Sequence, residues 1–357
     1  MRHDITYAEA VREGLDYCLG QDDDVFVVGE GVPDPKRIFN TTAGLLEKYG
    51  PERIMDMPLS ENALTGVCIG SALLGMRPVM VHQRTDFAYL ALDQIINNAA
   101  KWNYMFNGQG QVSIVIRMMI GRGWGQGPQH SSSPQALFSH IPGLKVVMPT
   151  RPYDAKGMLI QAVEDNGPVI FLEHRWLHHM KESVPEEPFR EPLGKARLVR
   201  SGSSLTMAAF SYSVIEAIKI ADTFNKYGVD IEVIDMRSSS PMDHQTVVAS
   251  VRKTGRLLVL DTSWITCGVA AELLARVSEG VFHELKEPPA RVALPDIHTP
   301  TSPALSQEFY PTPEVIGKKI LKILSIEPSS DKGGRVLDEL KADGPFDVPF
   351  LEFKGPF

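Results

Sequence analysis

Residues Asp56–Asn62 have the sequence DMPLSEN, and the apolar, glycine-rich segment LTGVCIGSALLG follows at Leu64–Gly75. A proline-containing turn and a serine that can cap a helix precede Glu61, which begins the helical pattern. A glutamate in a first helical turn usually faces solvent and interacts with the helix dipole. The helix that follows is apolar nearly all round, which predicts that it is buried and that Glu61 is buried with it.

Apolar runs and helical patterns alternate on both sides of this segment. Val25–Gly29, Pro78–His82 and Val112–Met119 have the continuous apolar character of buried strands. The patterns at Ala63–Leu74 and Asp86–Asn103 are helical, the second long enough for about five turns. This alternation predicts an α/β domain with a mostly parallel sheet.

A second α/β pattern follows a linker rich in proline and charge. We expect a first domain over residues 1–184, a linker over 185–195, a smaller domain over 196–326 and a tail over 327–357. Each domain is expected to hold a mostly parallel sheet flanked by helices. The closing stretch mixes serine, aspartate, glycine and proline, which predicts a peripheral or partly ordered tail.

Composition excludes several classes of function. The chain has 357 residues, 43% of them hydrophobic and 22% charged, which is ordinary for a globular protein. A net charge of −8 without a basic run argues against binding nucleic acid, and no apolar run is long enough to span a membrane. The widely spaced Cys18, Cys68 and Cys267 fit neither a disulfide framework nor a zinc site, which favours a reducing cytoplasm.

Nine short blocks, in a fixed order, carry a resemblance to a known family. They are DMPLSE (56–61), GMRP (75–78), DF (86–87), DQIINNAAK (93–101), QHS (129–131), PGLKVV (142–147), DAKG (154–157), DNGP (165–168) and TGRLL (254–258). Over about residues 4–325, the chain resembles the β subunit of a thiamine-diphosphate-dependent 2-oxoacid dehydrogenase, the E1 component of pyruvate, branched-chain or acetoin type. The resemblance implies a transketolase-like pyrimidine-binding domain followed by a transketolase C-terminal-like domain.

The resemblance assigns roles to residues around Glu61. In the family a glutamate contacts N1′ of the cofactor's aminopyrimidine, and Glu61 stands at that position, with Leu59 as a second cofactor contact. Phe87 falls where an aromatic ring stacks on the pyrimidine; the alternative is an ordinary core phenylalanine. A glutamate shielded from water suits this role because solvent does not weaken its hydrogen bond. The cofactor's ylide attacks the 2-oxoacid and accepts the electrons released with CO₂.

His130 ends a glycine-rich loop, Gly121–His130, that is neither a P-loop nor a dinucleotide fingerprint. The resemblance implies that His130 handles protons on the bound intermediate or during acyl transfer to lipoamide. The alternative is a structural histidine. Leu90 stands where pyruvate-type members often carry glutamine, so the resemblance weighs against a pyruvate-like polar contact there.

Two metal ions are implied by the same resemblance. Family members often hold K⁺ between carbonyl groups, and the matching residues are Ile114, Ala162, Asp165 and Gly167. Related enzymes hold Mg²⁺ and the cofactor's diphosphate with a Gly-Asp-Gly segment followed by an asparagine, and no Gly-Asp-Gly occurs in these 357 residues. We therefore expect an E1 α-type subunit to hold Mg²⁺, within an α2β2 heterotetramer that also has a β–β contact.

The expected reaction is decarboxylation of a small-molecule 2-oxoacid with acyl transfer to a lipoyl-bearing acyltransferase. A split transketolase or carboligase, which passes an activated aldehyde to an aldehyde acceptor, is an open alternative. Five polar residues favour it by predicting a more polar pocket than a branched-chain enzyme needs: His82, Arg84, His174, His178 and His179. A metal site in this histidine group is disfavoured, because the preceding residues have a strand pattern. A non-enzymatic homologue is disfavoured because Glu61, Phe87 and His130 are all present.

Overall fold

The computed structural model describes residues 1–34, 38–122 and 125–341. These residues form two compact units. The first contains residues 1–122 and 129–193, and the second contains residues 125–128 and 194–341. No helix in the described part of the chain is long and apolar enough to cross a membrane.

The first unit has eight strands and a set of helices that alternate with them along the chain. The strands are β1 (Arg2–Thr6), β2 (Val25–Gly29), β3 (Ile54–Met55), β4 (Arg77–His82), β5 (Val115–Ile120), β6 (Lys145–Val147), β7 (Val169–His174) and β8 (Lys181–Pro185). The helices are α1 (Tyr7–Gln21), α2 (Leu45–Tyr49), α3 (Glu61–Leu73), α4 (Thr85–Ala88), α5 (Trp102–Met105), α6 (Gln135–Ser139) and α7 (Pro152–Val163). Tyr89–Ala91 and Arg175–Leu177 are 3₁₀ turns, and Gln94–Ala99 is π-helical.

Six of these strands form the parallel sheet that the sequence predicts. Their order is β6-β7-β5-β4-β2-β3, and each neighbouring pair runs parallel. β1 and β8 form a separate antiparallel pair. Every residue of β2, β5 and β7 is buried, which explains their continuous apolar runs. The carboxyl ends of all six strands lie at one edge, where open α/β sheets bind ligands.

The second unit repeats this architecture with a smaller sheet. Its strand order is β14-β13-β10-β11-β9, parallel except for β9 against β11. The strands are β9 (Arg197–Arg200), β10 (Leu205–Ala209), β11 (Ile231–Asp235), β12 (Ser238–Ser240), β13 (Leu257–Trp264) and β14 (Ala290–Leu294). The helices are α8 (Ser213–Lys226), α9 (His244–Thr254), α10 (Val269–Val281), α11 (Pro303–Phe309), α12 (Pro313–Ile323) and α13 (Asp331–Leu340), with a 3₁₀ turn at Phe282–Glu284.

The helix expected over Asp86–Asn103 is present but irregular: the backbone stays right-handed helical at the junctions and passes through a 3₁₀ turn and a π-helical turn. The π-helical turn closes with a hydrogen bond from the amide of Ala100 to the carbonyl of Ile95 at 3.0 Å. α3 packs against this turn at Gly66, where an added Cβ would lie 3.3 Å from Oε1 of Gln94. A wider helical turn of this kind is common at functional sites.

The expected tail contains a helix that belongs to the core of the second unit. Val336, Leu337 and Leu340 of α13 are buried in the same cluster as Ile316 and Ile320 of α12. Ser330 caps α13 by accepting a hydrogen bond from the amide of Gly333 at 3.1 Å. Residues 331–340 are thus part of the fold, and residues 342–357 lie outside the described residues.

Candidate functional site

Glu61 is the first residue of α3, and its side chain is 6% exposed, as the sequence predicts. Ser60 occupies the N-cap position but makes no capping hydrogen bond with its side chain, contrary to the expectation. One turn further, the hydroxyl of Thr65 donates to the carbonyl of Glu61 at 2.7 Å and lies 3.2 Å from Sδ of Met80 in β4. These contacts anchor the start of α3 against the sheet and hold the carboxylate of Glu61 away from bulk water.

Glu30, which directly follows β2, is a site residue that sequence analysis missed. Burial raises the pKa of Glu30, and the negative charges of Glu61 and Asp56 raise it further. Oε1 of Glu30 is buried and has no hydrogen-bond partner among the described residues. The amide of Gly31 donates to Asp56 at 3.0 Å, which ties the turn after β2 to the segment that leads to α3.

The negative charges of Asp56 and Glu61 act on Glu30 at the carboxyl edge of the sheet. Like charges favour the neutral form of a carboxyl group, and they contribute to the raised pKa of Glu30. Carboxyl groups can hydrogen-bond a nitrogen heterocycle. The sequence signal was a glutamate directly after a buried strand, at the edge where ligands bind.

Phe87 and His130 lie together, although 43 positions separate them in the sequence. Their ring centroids are 5.3 Å apart with an interplanar angle of 83°. Asp86 accepts a short hydrogen bond from the hydroxyl of Ser132, which ties α4 to the segment after His130. Phe87 is 36% exposed, and the helix that carries it packs against α3.

The apolar surface around Glu61 is only partly covered. Leu59, a predicted cofactor contact, is 83% exposed in the turn before α3. Val67, Leu74 and Leu90 are exposed as well, so the prediction that α3 is buried holds for only part of its surface in the chain by itself. Large exposed apolar side chains are candidates for contact with a ligand or partner.

The turn between α7 and β7 holds the residues predicted to bind potassium. The carboxylate of Asp165 accepts two hydrogen bonds from Nζ of Lys145, at 2.6 and 2.7 Å, and one from the amide of Gly167 at 2.8 Å. Nη1 of Arg77 donates to the carbonyls of Val163 and Asp165 at 2.9 and 3.1 Å. An ammonium and a guanidinium group thus already bind part of this turn.

The other two predicted potassium ligands make backbone hydrogen bonds. The carbonyl of Ile114 accepts from the amide of Val169 at 2.9 Å, and that of Ala162 from the amide of Asp165 at 3.3 Å. The carbonyl of Ala162 also accepts from the amide of Glu164, so both of its lone pairs are used, whereas that of Ile114 keeps a second lone pair that a cation could use. Across residues 1–34, 38–122 and 125–341, no group of three or more histidine, cysteine or acidic residues could hold a metal ion.

A set of ionisable side chains lies toward the carboxyl ends of β4, β5 and β7, all of them buried except the half-buried Arg122, and we call it the carboxyl-edge cluster. Its members are His82, Arg84, Arg117, Arg122, Glu173, His174, Arg175 and His178. Arg117 and Glu173 are both fully buried and form two hydrogen bonds, at 2.6 and 3.0 Å. Nε2 of His178 lies 3.4 Å from the same carboxylate, and its ring stacks on Tyr7 at 5.6 Å. Burial opposes the ionisation of Glu173, but Arg117 holds its pKa below the ordinary value.

The histidines of this cluster are neutral because burial lowers their pKa. The pKa of His82 falls to about 4, and that of His178 also falls to about 4. Burial, followed by the positive charges of Arg122 and Arg84, lowers the pKa of His174. Gly121 has φ +90°, and a Cβ there would lie 2.1 Å from Nε2 of His174, so only glycine fits against this ring.

Comparison with known proteins matches both units to one superfamily. Residues 3–179 match the family described as "Transketolase, pyrimidine binding domain", and residues 194–316 match "Transketolase, C-terminal domain". A solved structure titled "Split gene transketolase, inactive beta4 tetramer" aligns with a TM-score of 0.72 at 22% identity, covering 90% of this chain and 99% of that one. At this identity the likeness concerns the fold alone.

Relatives of higher identity indicate the branch of the superfamily. Acetoin:2,6-dichlorophenolindophenol oxidoreductase subunit beta of Cupriavidus necator is 38% identical over 91% of this chain and 97% of the relative. 2-Oxoisovalerate dehydrogenase subunit beta of Pseudomonas aeruginosa is 38% identical over 90% and 95%. Pyruvate dehydrogenase E1 component subunit beta of Rickettsia felis is 37% identical over 89% and 98%. The assignment made from the sequence is confirmed: the chain belongs to the family of thiamine-diphosphate-dependent 2-oxoacid dehydrogenase E1 β subunits.

Proposed function

We propose that this chain is the β subunit of an E1 enzyme that decarboxylates a 2-oxoacid on thiamine diphosphate and passes the acyl group to a lipoyl carrier. The observation that carries the proposal is the buried carboxylate of Glu61, which lies beside Glu30 and Asp56 at the carboxyl edge of the first sheet. The names of the relatives favour this function over a split transketolase or carboligase.

The residues at this edge fit the pyrimidine half of the cofactor. Glu61 would accept a hydrogen bond from N1′, and the raised pKa of Glu30 would reduce the repulsion between the two carboxyl groups. Phe87 would stack on the pyrimidine ring. Bound there, the cofactor supplies a carbanion at C2 and an electron sink for decarboxylation. His130 would then move protons on the reacting groups.

An E1 α-type subunit would complete the site and hold Mg²⁺ with the diphosphate, in an α2β2 heterotetramer. The exposed apolar side chains of α3 and the segment around Leu90 support such a partner, because large exposed apolar surface marks interfaces. A β–β contact through α10 and a lipoyl-bearing acyltransferase as acyl acceptor belong to the same proposal. The three free cysteines suit a reducing cytoplasm.

Potassium binding by Ile114, Ala162, Asp165 and Gly167 is the part of the proposal with the least support, because Lys145 and Arg77 already bind this turn. A bound ion should raise the melting temperature of the chain in KCl above that in NaCl of equal ionic strength. Equal melting curves in the two salts would remove potassium from the proposal.

Glu61→Gln tests the central role. In the assembled enzyme, the variant should exchange the cofactor's C2 proton about 10²–10⁴-fold more slowly, the usual effect of removing a positioned acid–base group. Folding should be retained because glutamine is nearly isosteric. Asp331→Asn is the control, since Asp331 is also an acidic residue in a first helical turn but is exposed. Normal exchange in Glu61→Gln would refute the assignment.

His130→Ala tests the second role. The variant should bind cofactor normally but transfer acyl groups to lipoamide more slowly, because a proton-transfer group is lost. A parallel loss of cofactor affinity would instead identify His130 as a binding residue.

Assembly is tested on the purified chain by sedimentation and calorimetry. We expect homodimers or aggregates with little affinity for thiamine diphosphate, and a soluble heterotetramer once the α partner is supplied. Tight cofactor binding by a monomer would refute the shared site.

A further inference from the structure

His82, the last residue of β4, is a buried histidine whose ring nitrogen Nε2 has no hydrogen-bond partner among the described residues. The residue is 3% exposed, and burial lowers its pKa to about 4, so its imidazole is uncharged near pH 7. A buried polar group without a hydrogen bond costs free energy, and in native proteins such a group often has a functional role or binds water. The neighbours of His82 favour a functional role.

The alternation of side chains along β4 places His82 on the face of the sheet that α3 covers. Residues two apart in a strand point to the same face, so His82 and Met80 share one. The sulfur of Met80 lies 3.2 Å from the hydroxyl of Thr65, which is one helical turn beyond Glu61. His82 therefore points to the side of the sheet from which Glu61 approaches.

The pairing of β4 with β5 connects the same face to α4. His82 pairs with Met118, and residues paired in this way point to one face. The sulfur of Met118 lies 3.5 Å from the hydroxyl of Thr85, the first residue of α4, and α4 also carries Phe87. His82 thus belongs to the part of the sheet that both site helices cover.

Ser131 provides a second uncharged polar group beside α4 and β5. It is 3% exposed, and its hydroxyl has no hydrogen-bond partner among the described residues. It follows His130, whose ring contacts Phe87, and it precedes Ser132, whose hydroxyl donates to α4. The carbonyl of Ser132 accepts from the amide of Gly121, directly after β5, at 3.1 Å. The fold thus holds Ser131 close to the same two elements that surround His82.

We propose that His82 and Ser131 hydrogen-bond a hydroxyl group on the side chain of the substrate. The inference rests on the proposed function, and it narrows the substrate class to 2-oxoacids with an uncharged hydroxyl group at C3 or C4. A neutral imidazole and a serine hydroxyl can each donate and accept a hydrogen bond, which suits a hydroxyl group because it does both. An apolar substrate of the same shape would leave both side chains unpaired, and such sites discriminate strongly against it.

The first test measures the stability of the full chain and needs no turnover. At pH 8, His82→Leu and His82→Phe replace the unpaired imidazole with an apolar side chain, so at least one of them should melt no lower than the wild type. The control His140→Leu replaces an exposed histidine of the same unit and should leave the melting temperature unchanged. A lower melting temperature in both His82 variants would show that the imidazole has a structural partner, and it would overturn the inference.

The second test uses the enzyme assembled with its α partner. 3-Hydroxy-2-oxopropanoate is compared with 2-oxobutanoate, and 4-hydroxy-2-oxobutanoate with 2-oxopentanoate, so that each pair differs only by a hydroxyl in place of a methyl group. We expect the hydroxylated member of at least one pair to have the higher kcat/KM. Its advantage should fall about 10- to 100-fold in the more stable of His82→Leu and His82→Phe, because a buried hydrogen bond is lost.

Further variants separate hydrogen bonding from packing. His82→Gln keeps a donor and an acceptor near the position of Nε2 and should keep most of the advantage. Ser131→Ala should lose part of it, and the control His140→Leu should keep all of it. Equal kcat/KM within both pairs, or an advantage that survives in the apolar His82 variant, would overturn this inference and leave the proposed function standing.

Binding without turnover distinguishes the failure of this inference from the failure of the proposed function. Failure to decarboxylate any 2-oxoacid would refute the proposed function. Calorimetric titration of the assembled Glu61→Gln enzyme with the same two pairs does not depend on decarboxylation. Tighter binding of a hydroxylated member, lost in Glu61→Gln/His82→Leu, would support the role of His82 by itself, and equal binding within both pairs would overturn it.

Discussion

Replacing Arg117 with methionine should destabilise the first unit strongly. Arg117 and Glu173 are fully buried on neighbouring strands, with two hydrogen bonds of 2.6 and 3.0 Å between them. Without Arg117, Glu173 keeps a buried charge whose other described contact is a neutral histidine, His178, at 3.4 Å. Breaking a buried pair on one side costs about 3–5 kcal/mol. The expected loss is therefore of that order, a large part of a domain's total stability.

The double variant Arg117→Met/Glu173→Met tests whether the loss of stability comes from the unpaired charge of Glu173 or from the packing of the two side chains. Removing both charges restores an apolar core of similar volume, which is often neutral or stabilising. We therefore expect the double variant to be more stable than Arg117→Met alone. The exposed pair Arg276–Glu272 is the control: removing its arginine should change stability by less than about 1 kcal/mol.

Hydrogen–deuterium exchange of peptides from β4, β5 and β7 measures the stability of the first unit separately from that of the second. A loss of 3–5 kcal/mol corresponds to exchange faster by about two to three and a half orders of magnitude. The sign of the pH dependence is a further check. In Arg117→Met, burial without a partner should raise the pKa of Glu173 above its unfolded value, so the deficit should be smaller at pH 5 than at pH 8.

Two results would refute this reasoning. One is Arg117→Met exchange within threefold of the wild type, which would mean that the ion pair contributes little beyond its desolvation. The other is a double variant less stable than both single variants, which would mean that the packing of these side chains, and not their charges, decides the effect.

Three further predictions concern other parts of the chain. Of the three cysteines, only Cys267 should react with a thiol reagent at pH 8 in the native chain, because burial raises the pKa of the Cys18 and Cys68 thiols to about 12. A mass increase that corresponds to more than one label would contradict this prediction. The stability of the first unit should fall as the pH drops from about 6.5 to 4, by about 3 kcal/mol for each of His82 and His178, because these histidines take up protons in the unfolded chain at a higher pH than in the folded chain. In His82→Gln, the urea concentration at the unfolding midpoint should decrease less over that pH range than in the wild type. Gly121→Ala should destabilise the chain more than Gly44→Ala does. Both glycines have a positive φ, but only at Gly121 would the new Cβ meet a side chain. Equal unfolding midpoints for the two variants would argue against that contact.

Local pattern was sufficient for the order of elements, and it marked the residues that the proposed site uses. The apolar runs that form β2, β4 and β7 were recognisable because strands buried on both faces need continuous apolar sequence. The segment before α3 identified Glu61, and two short blocks identified Phe87 and His130. The contact between Phe87 and His130 could not be predicted from pattern alone, because it joins residues 43 positions apart in the sequence.

Helical periodicity predicted the helix over 86–103 but not its irregular turns. Contact with α3 at Gly66 accompanies a π-helical turn there. The prediction for the closing stretch failed for a different reason. Its serine, glycine and charged residues suggested a tail, whereas only the fold brings Val336 and Leu340 onto α12. Three or four apolar residues in a polar segment become informative only when a partner surface is present.

The sequence by itself determined the family, the alternation of strands and helices, and the position of the glutamate on which the proposed chemistry depends. These features are encoded locally, in the spacing of apolar residues and in short motifs. Only the tertiary structure decided which charges meet. It brings the charges of Asp56 and Glu61 to act on Glu30, pairs Arg117 with Glu173, and packs Arg84 and Arg175 against the ring of Phe39. Electrostatic energy depends on distance and burial, and neither is set until strands far apart in the chain end at the same edge of the sheet.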